Sequence, residues 1–409
     1  MPELDGLSAD ALRRQYHYEL FDLVLPFWER HGIDHERGGV MCSLDYDGTR
    51  VNDEKRLWFQ GRGLWVYSYL YNHFGQQTRH LDIARKIKDF MLRHAPQSDG
   101  WWAEVLDGAG GVLRPFSGDL YGMYFAAEGL QEYAWAAKDD EARDTAFSLL
   151  KKLFDHIHSK DFRDPSMPGA GIRPQGLWMV TIQNGTQILP RWDDPDIRRH
   201  TDAALEAITE KHYNRDTGLN TEILRVDFTP PEGEANKCLV GHAIECLWMA
   251  LDEALRRKDE TLARTCATRM RHHLDVGWDH VYGGLVDGVN VDQTVYEWPE
   301  ETLVGTNITT RARGEYNYRK TYWAVNEVLV AAMKAFELTR ADWAARYFAL
   351  AQRVADEKFS QARRNLGSHM IASDRRMTFQ ERSVRQDNYH PLRRLLYVRQ
   401  ALDRIAPEA

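Results

Sequence analysis

The chain has 409 residues, 43% of them apolar, and a formal net charge of -8 with no basic block. That charge pattern argues against nucleic acid or an anionic membrane as a partner. No stretch approaches a membrane span, and the start MPELDGLSADALRRQ lacks the cationic and apolar regions of a secretory leader, so a cytoplasmic protein is expected.

Apolar residues recurring at helical spacing predict helices at 9–30, 57–74, 79–95, 118–137, 141–157, 176–190, 196–211, 235–256, 260–273, 317–337, 341–357 and 391–405. The connections alternate in length. Short ones fall at NHFGQQ (72–77), AAKDD (136–140), RWDDP (191–195), LRRKD (255–259) and LTRAD (338–342). Long ones carry hairpin-like text such as GGVMCSLDYDGT, DGWWAEVLDGAGGVL and YGGLVDGVNVD, with Asp47-Gly48 and Asp107-Gly108 as turn signals. A helical pair cannot bury its apolar face alone, so such units must stack. The expectation is an all-α fold, an (α/α)6 barrel of six helical hairpins with short β-hairpins in the long loops at one end. An open superhelix of repeats is the alternative. Closure is favoured because the units differ strongly in sequence and every long loop follows an odd-numbered helix, which would gather the loops into one site. No Pro- or Ser-rich linker interrupts the chain, so 1–409 reads as one catalytic domain.

The even-numbered helices begin with polar or aromatic residues inside apolar text: WFQGRGLWVYSYLY (58–71), FSGDLYGMYFAAEGL (116–130), LWMVTIQNGTQIL (177–189), VGHAIECLWMA (240–250), YRKTYWAVNEVLVAA (318–332) and DNYHPLRRLLY (387–397). The odd helices read as amphipathic surface helices. An inner ring with polar heads implies a polar pocket lined by helix N-termini, which stabilise anions such as an enediolate. The 13 Trp and 18 Tyr are more than a core of this size needs, and aromatic excess suits a concave sugar or ligand site, although plain core packing is the commoner use. Trp58 and Tyr121 head two of the inner helices and are candidates for that role.

His242 and Glu245 are three apart and share a helix face. They suit a general base or acid beside a carboxylate that orients the imidazole or binds a hydroxyl. His242 alone reads better as a satisfied core histidine, but a Glu in the same apolar text weakens that reading, because it is costly to bury without a role. His390 precedes Pro391, which fits the first turn of a helix; it reads as a cap or as a second proton carrier. Trp323 and Glu327, four apart, suit an aromatic platform beside a carboxylate. Arg62 sits between Gly61 and Gly63, which fits close packing around a fixed guanidinium. The pair Glu300-Glu301 could suggest glycoside hydrolysis, but adjacent acids in extended chain point apart. Cys42, Cys238, Cys246 and Cys266 have no metal-ligand spacing, and neither a phosphate loop nor a nucleophile elbow is present.

With these residues in hand, the chain resembles the N-acylglucosamine 2-epimerase family, which includes cellobiose 2-epimerases and mannose isomerases. The resemblance rests on five motifs in order: KRLWFQGRGLWVYSYLY (55–71), VGHAIECLWM (240–249), GWDHVYGGLVDG (277–288), KTYWAVNE (320–327) and DNYHPLRR (387–394). It implies the same barrel and an active-site arginine at Arg62. It also implies catalytic histidines at His242 and His390, with Glu245, Trp323 and Glu327 as substrate partners. The implied reaction removes the C2 proton of an open-chain sugar through a cis-enediolate, with no metal or cofactor. Return to C2 gives a 2-epimer; return to C1 gives a ketose, so an aldose–ketose isomerase is the alternative. The third inner helix departs from the cellobiose pattern, since MVTIQNGTQ (179–187) offers Gln183 or Asn184 in place of an Asn and a His. A hydrolytic or non-catalytic sugar-binding barrel is the remaining reading. The only partner expected is a small-molecule sugar; the family often forms homodimers, but no exposed apolar stripe demands one. Activity should fall as the base histidine protonates, near pH ~6.5 for an ordinary imidazole.

Overall fold

A computed structural model describes residues 3–165, 167, 169–231, 237–292 and 318–407. The Glu300-Glu301 pair lies outside them. Twelve long helical segments appear among the described residues, and we number them α1 to α12. The odd ones are α1 (Ala9–Tyr18), α3 (Thr78–His94), α5 (Asp140–Ile157), α7 (Pro195–Glu206), α9 (Glu260–Gly277) and α11 (Asp342–Val354). The even ones are α2 (Leu57–His73), α4 (Tyr121–Ala137), α6 (Gly176–Ile188), α8 (Val240–Arg256), α10 (Tyr322–Thr339) and α12 (His390–Ile405). The first continues through π-helical turns to Gly32. Pro26, which has no N–H to offer the helix, sits between them.

The even helices form the inner ring. Helix α2 packs on α4, α4 on α6, α6 on α8, α8 on α10, α10 on α12, and α12 on α2, so the ring closes. Composition decides which helices go inside. In α4 every residue from Gly122 to Ala134 is buried, because both the axis and the outer layer cover it. In α3 only one stripe is buried, including Ile83, Ala84, Ile87, Phe90 and Met91, at the spacing of a one-faced helix. Glycines set the closest crossing. A Cβ on Gly61 would lie 2.2 Å from the Phe125 carbonyl carbon, and one on Gly129 would lie 2.5 Å from the Gly61 carbonyl oxygen. Between α1 and α12, Arg394 and Glu19 form a buried ion pair, and toward α11 the Tyr16 hydroxyl donates to Gln352 at 2.7 Å.

The long loops gather at one end, as their alternation implies. Several open with the same turn. Bridges join Ile33 to Val40, Tyr213 to Asn220 and Trp278 to Leu285. In each, the side chain of Asp34, Asn214 or Asp279 accepts backbone N–H groups two and three residues ahead. The strands refine the hairpin expectation. Val105–Leu106 pairs with Val112–Arg114 inside one loop. The other loop strands mostly join neighbouring loops: Lys55–Arg56 with Val105–Leu106, Ile172–Pro174 with Ile223–Arg225, Lys237–Leu239 with Gly288–Asn290, and Lys320–Thr321 with Ala372–Ser373. Most of these stubs lead straight into an inner helix, so the sheet pieces fix the height at which each inner helix begins. This is also why α8 starts at Val240 rather than 235. No described helix is long and apolar enough to cross a membrane.

Candidate active site

A cavity of about 460 Å³ opens at the long-loop end and is bordered by the heads of inner helices. Trp58, Arg62, Tyr121, His242, Glu245, Trp323 and His390 all line it. Residues up to 332 apart in sequence (58 to 390) therefore meet because each stands near the start of its helix.

His242 is the third residue of α8. Its Nδ1 lies 2.9 Å from Oε1 of Glu222, a buried carboxylate in the loop before α8. His390 opens α12, with Pro391 in the first turn where no N–H is required. Its Nδ1 lies 2.6 Å from Oδ2 of Asp387, whose Oδ1 accepts the N–H of Tyr389 at 2.9 Å. A carboxylate can only accept, so in both residues Nδ1 is the protonated nitrogen and Nε2 is left for chemistry. The Trp323 ring contacts both imidazoles, with centroids 5.2 Å from His242 and 5.9 Å from His390. Gly241 makes room for it: a Cβ there would lie 2.6 Å from Trp323 Cη2.

Arg62 is held by rings rather than by acids. Its guanidinium carbon lies 4.0 Å from the Phe125 centroid, 4.8 Å from Tyr389 and 5.2 Å from Trp58. Among the described residues it has no hydrogen-bond or ion-pair partner, and its Nε is buried unpaired. Trp58 is fixed in turn by donating from Nε1 to Asp119 at 2.7 Å, and burial pushes that carboxyl up to about 6.

Three readings from the sequence are corrected here. Glu245 does not orient His242; Glu222 does, and Glu245 is instead ion-paired with Arg393. Glu327 does not line the cavity. It lies one helical turn beneath Trp323, fully buried, where it accepts from Trp248 Nε1 at 2.8 Å and pairs with Arg393 at 2.8 Å. Gln183 and Asn184 also miss the cavity. Gln183 donates toward Glu128 at 3.3 Å, and Asn184 donates to the Val180 carbonyl at 2.8 Å. From α6 the wall is Met179. Helical phase explains this, since Met179 and Gln183 lie on one stripe but a full turn apart in depth.

The electrostatics follow from these partners. Burial lowers the pKa of His242, but the charge and hydrogen bond of Glu222, with Glu245 and Asp287 behind it, outweigh burial and raise it. Burial opposes the Asp387 carboxylate, yet His390 and Arg62 hold its pKa well below the usual range. Burial also lowers the pKa of Arg62, although guanidinium remains charged at any working pH. Glu245, Glu327 and His390 each bring a ligand-type atom within 4.8 Å of the others. The positive charge in that space is the Arg393 guanidinium, which already joins the two carboxylates.

Comparison with known proteins bears on this site. The sequence profile of the N-acylglucosamine 2-epimerase (GlcNAc 2-epimerase) family matches residues 38–393. This chain belongs to that family. The N-acylglucosamine 2-epimerase of Bos taurus is 25% identical over 310 residues, which is 68% of each chain. The cellobiose 2-epimerase of Dictyoglomus turgidum is 22% identical over 356 residues, covering 82% of this chain and 84% of its own. A sugar epimerase from a ruminal bacterium has the same fold, with a TM-score of 0.79 at 18% identity over 95% of this chain and 98% of that one. The protein is thus a carbohydrate epimerase, an enzyme of the isomerase class. Within this epimerase barrel, Glu222, Asp387 and Arg393 are the site residues that sequence reasoning missed. Asp387 carried a readable signal, an acid three residues before a His-Pro helix start. Glu222 carried none, because its partner is on another element.

Proposed function

We propose that the protein is a sugar 2-epimerase in which His242 and His390 exchange the proton at C2 of an open-chain aldose. One Nε2 takes the C2 proton, and the C–H electrons form a C1–C2 double bond while the aldehyde π electrons move to O1. The other imidazole then gives a proton to the opposite face of C2, and the aldehyde re-forms. Arg62, which has no ion-pair partner among the described residues, meets the developing oxyanion with its charge, which is the preorganised donor this step requires. Trp323 supplies a face for the sugar between the two histidines.

The observation that carries this reading is the pair of imidazoles on one cavity, each with Nδ1 anchored by its own buried carboxylate. A hydrolase would need a carboxylic acid and a carboxylate facing the bond to be cleaved. Among the described residues, the acids that line the cavity, Glu222, Glu245, Asp287 and Asp387, are engaged with histidines and arginines. The substrate we infer is an aldose of the glucose/mannose or the N-acylglucosamine/N-acylmannosamine type. Residues from Trp58 to His390 build the pocket, which supports reading the whole chain as one catalytic unit. Four buried, unpaired cysteines support a cytoplasmic location. Protonation at C1 instead of C2 would make the same residues an aldose–ketose isomerase, the activity named for a solved D-mannose isomerase with a TM-score of 0.77 and 14% identity, covering 96% of this chain and 97% of that one.

The test is incubation in deuterated water with mannose, glucose, N-acetylmannosamine and cellobiose, followed by NMR. Deuterium at C2 of a 2-epimer is expected; a ketose product would establish the isomerase. His242→Asn and His390→Asn should each abolish epimerisation while keeping C2 exchange only with the epimer whose base survives. Full turnover by both variants would refute the two-histidine reaction.

A further inference from the structure

Arg62 stands at the cavity wall without an ion-pair partner among the described residues, so its place must come from the rings around it. Those rings are Phe125, Tyr389 and Trp58. Phe125 and Tyr389 are buried, at 5% and 1% exposure. Trp58 is half-buried and borders the cavity, so packing alone confines it least. Its flanks are the rings of Tyr121 and Phe125, with centroids at 5.3 Å and 5.6 Å. A Cβ on Gly122 would lie 3.2 Å from Trp58 Cδ1, so that edge of the indole also meets α4. The polar edge is held by Asp119, whose Oδ2 accepts the indole N–H at 2.7 Å.

Asp119 lies in the turn before α4, and its other oxygen, Oδ1, accepts the N–H of Tyr121, the first residue of that helix, at 3.0 Å. One carboxylate thus ties the head of α2 to the head of α4. The loop fixes it in turn: the Asp119 N–H lies 3.3 Å from Oε1 of Glu104, which also accepts the Ser117 N–H at 2.7 Å and hydroxyl at 2.8 Å. Among the described residues, the charged groups facing Asp119 are Glu104, paired with Arg114 at 2.8 Å, and Asp164. The Arg62 guanidinium lies beyond the indole, and the Tyr121 hydroxyl is the titratable group of α4 on this side. A carboxylate set directly on Arg62 would fix it as well, but would offset the charge that the oxyanion needs. An acid that acts through an indole N–H fixes the ring and leaves the guanidinium charge directed at the cavity. The second polar ring on Arg62 is built the same way, since the Tyr389 hydroxyl donates to Glu128 at 2.8 Å.

We propose that Asp119 is a positioning residue for epimerisation: it locks the Trp58 indole, and through it the Arg62 guanidinium, where the oxyanion forms, without taking up the arginine's charge. The proposal rests on the reading of this cavity as the epimerase site. It requires both carboxylate oxygens. An asparagine offers a single acceptor oxygen, so either the Trp58 N–H or the Tyr121 N–H would face the amide NH2.

The experiment compares wild type with Asp119→Asn, Trp58→Phe and the double variant, using the sugar that wild type turns over best. Melting temperature, kcat and KM are recorded at pH 5.5, 6.5 and 7.5. At pH 7.5 Asp119→Asn and Trp58→Phe should each lower kcat by about tenfold, the worth of a hydrogen bond to a charged group. KM should change by less than about threefold, because Arg62 acts on charge that develops after binding. The double variant should fall no more than about twofold below Trp58→Phe, since without the indole N–H the carboxylate has nothing to position. The kcat deficit of Asp119→Asn should shrink at pH 5.5, because burial beside Glu104 and Asp164 has pushed the wild-type carboxyl up to about 6 and it is then protonated. A residue that only starts α4 would cost the same factor with or without the Trp58 nitrogen. That additivity, a deficit that does not shrink at pH 5.5, or wild-type kcat in Asp119→Asn would overturn the proposal. If Asp119→Asn does not fold, Trp58→Phe decides it: kcat should fall while melting temperature stays near that of wild type, and an unchanged kcat would overturn the proposal. Absence of turnover by wild type on every sugar would instead overturn the epimerase reading, and the proposal with it.

Discussion

Replacing Glu222 with Gln tests the chemistry where the charge arrangement makes a signed forecast. Glu222 is the largest influence raising the His242 pKa against burial. A charge-assisted hydrogen bond of this kind contributes about 1.5–3 kcal/mol. At about 1.36 kcal/mol per pH unit, its loss should lower the His242 pKa by about one to two units. The His242 ring keeps some solvent contact, with 25% side-chain exposure, so about one unit is the better figure. In a two-base epimerase, each epimer is deprotonated by a different histidine. For the epimer that uses His242 as base, the acid limb of kcat/KM should therefore move to lower pH by about one unit. For the other epimer, His242 must arrive protonated, so its alkaline limb should move down as well. Plateau rates should fall about tenfold or more, because a less basic imidazole accepts a proton less readily and Gln permits the wrong tautomer. Stability gives an independent check. A histidine whose pKa is raised on folding contributes stability that is fully present below its unfolded pKa and lost as pH rises through the folded value. The variant should thus lose more urea resistance at pH 5.5 than at pH 8.5. Limbs that stay in place, or a stability loss larger at alkaline pH, would refute the assignment of Glu222 to His242.

Three further outcomes are expected. Arg62→Met should reduce kcat about 10²- to 10³-fold, as loss of an oxyanion donor does, while holding or raising the melting temperature because an unpaired buried charge is removed; a large drop in melting temperature would show that Arg62 is structural. Gly241→Ala places a methyl 2.6 Å from Trp323 Cη2; overpacking of about 1–3 kcal/mol should exceed the helix-propensity gain of about 1 kcal/mol, and displacement of the indole should lower turnover of both epimers. A variant of unchanged stability and rate would mean that the Trp323 ring is not confined as described. Arg394→Met leaves buried Glu19 with only the His369 imidazole, 3.3 Å away, as a partner, and about 3 kcal/mol, the low end for a broken buried pair, should be lost in urea titration; a loss under 1 kcal/mol would remove this pair from the seal between α1 and α12.

What the amino-acid order determined by itself was everything that depends on local repetition. Apolar spacing marked out twelve helices, and alternating loop length identified which would line the axis. Polar residues in the heads of apolar helices, above all Arg62, His242, Trp323 and His390, pointed to one pocket. Even the turn after an outer helix was written locally, as in GIDHERGG (32–39) and GWDHVYGG (277–284). Tertiary structure alone decided who pairs with whom. Glu245 sits one turn from His242, so spacing favoured that pair. The Arg393 guanidinium, arriving from α12, took Glu245 instead, and Glu222 came from a neighbouring loop to hold the imidazole. Depth was equally hidden. A four-residue step moves a side chain along the barrel axis without turning it, so Glu327 and Gln183 share a stripe with cavity residues yet lie beneath them. The reason is physical: helix formation is governed by neighbours along the chain, whereas the partner of a buried charge is set by whichever opposite charge the closed ring carries into contact.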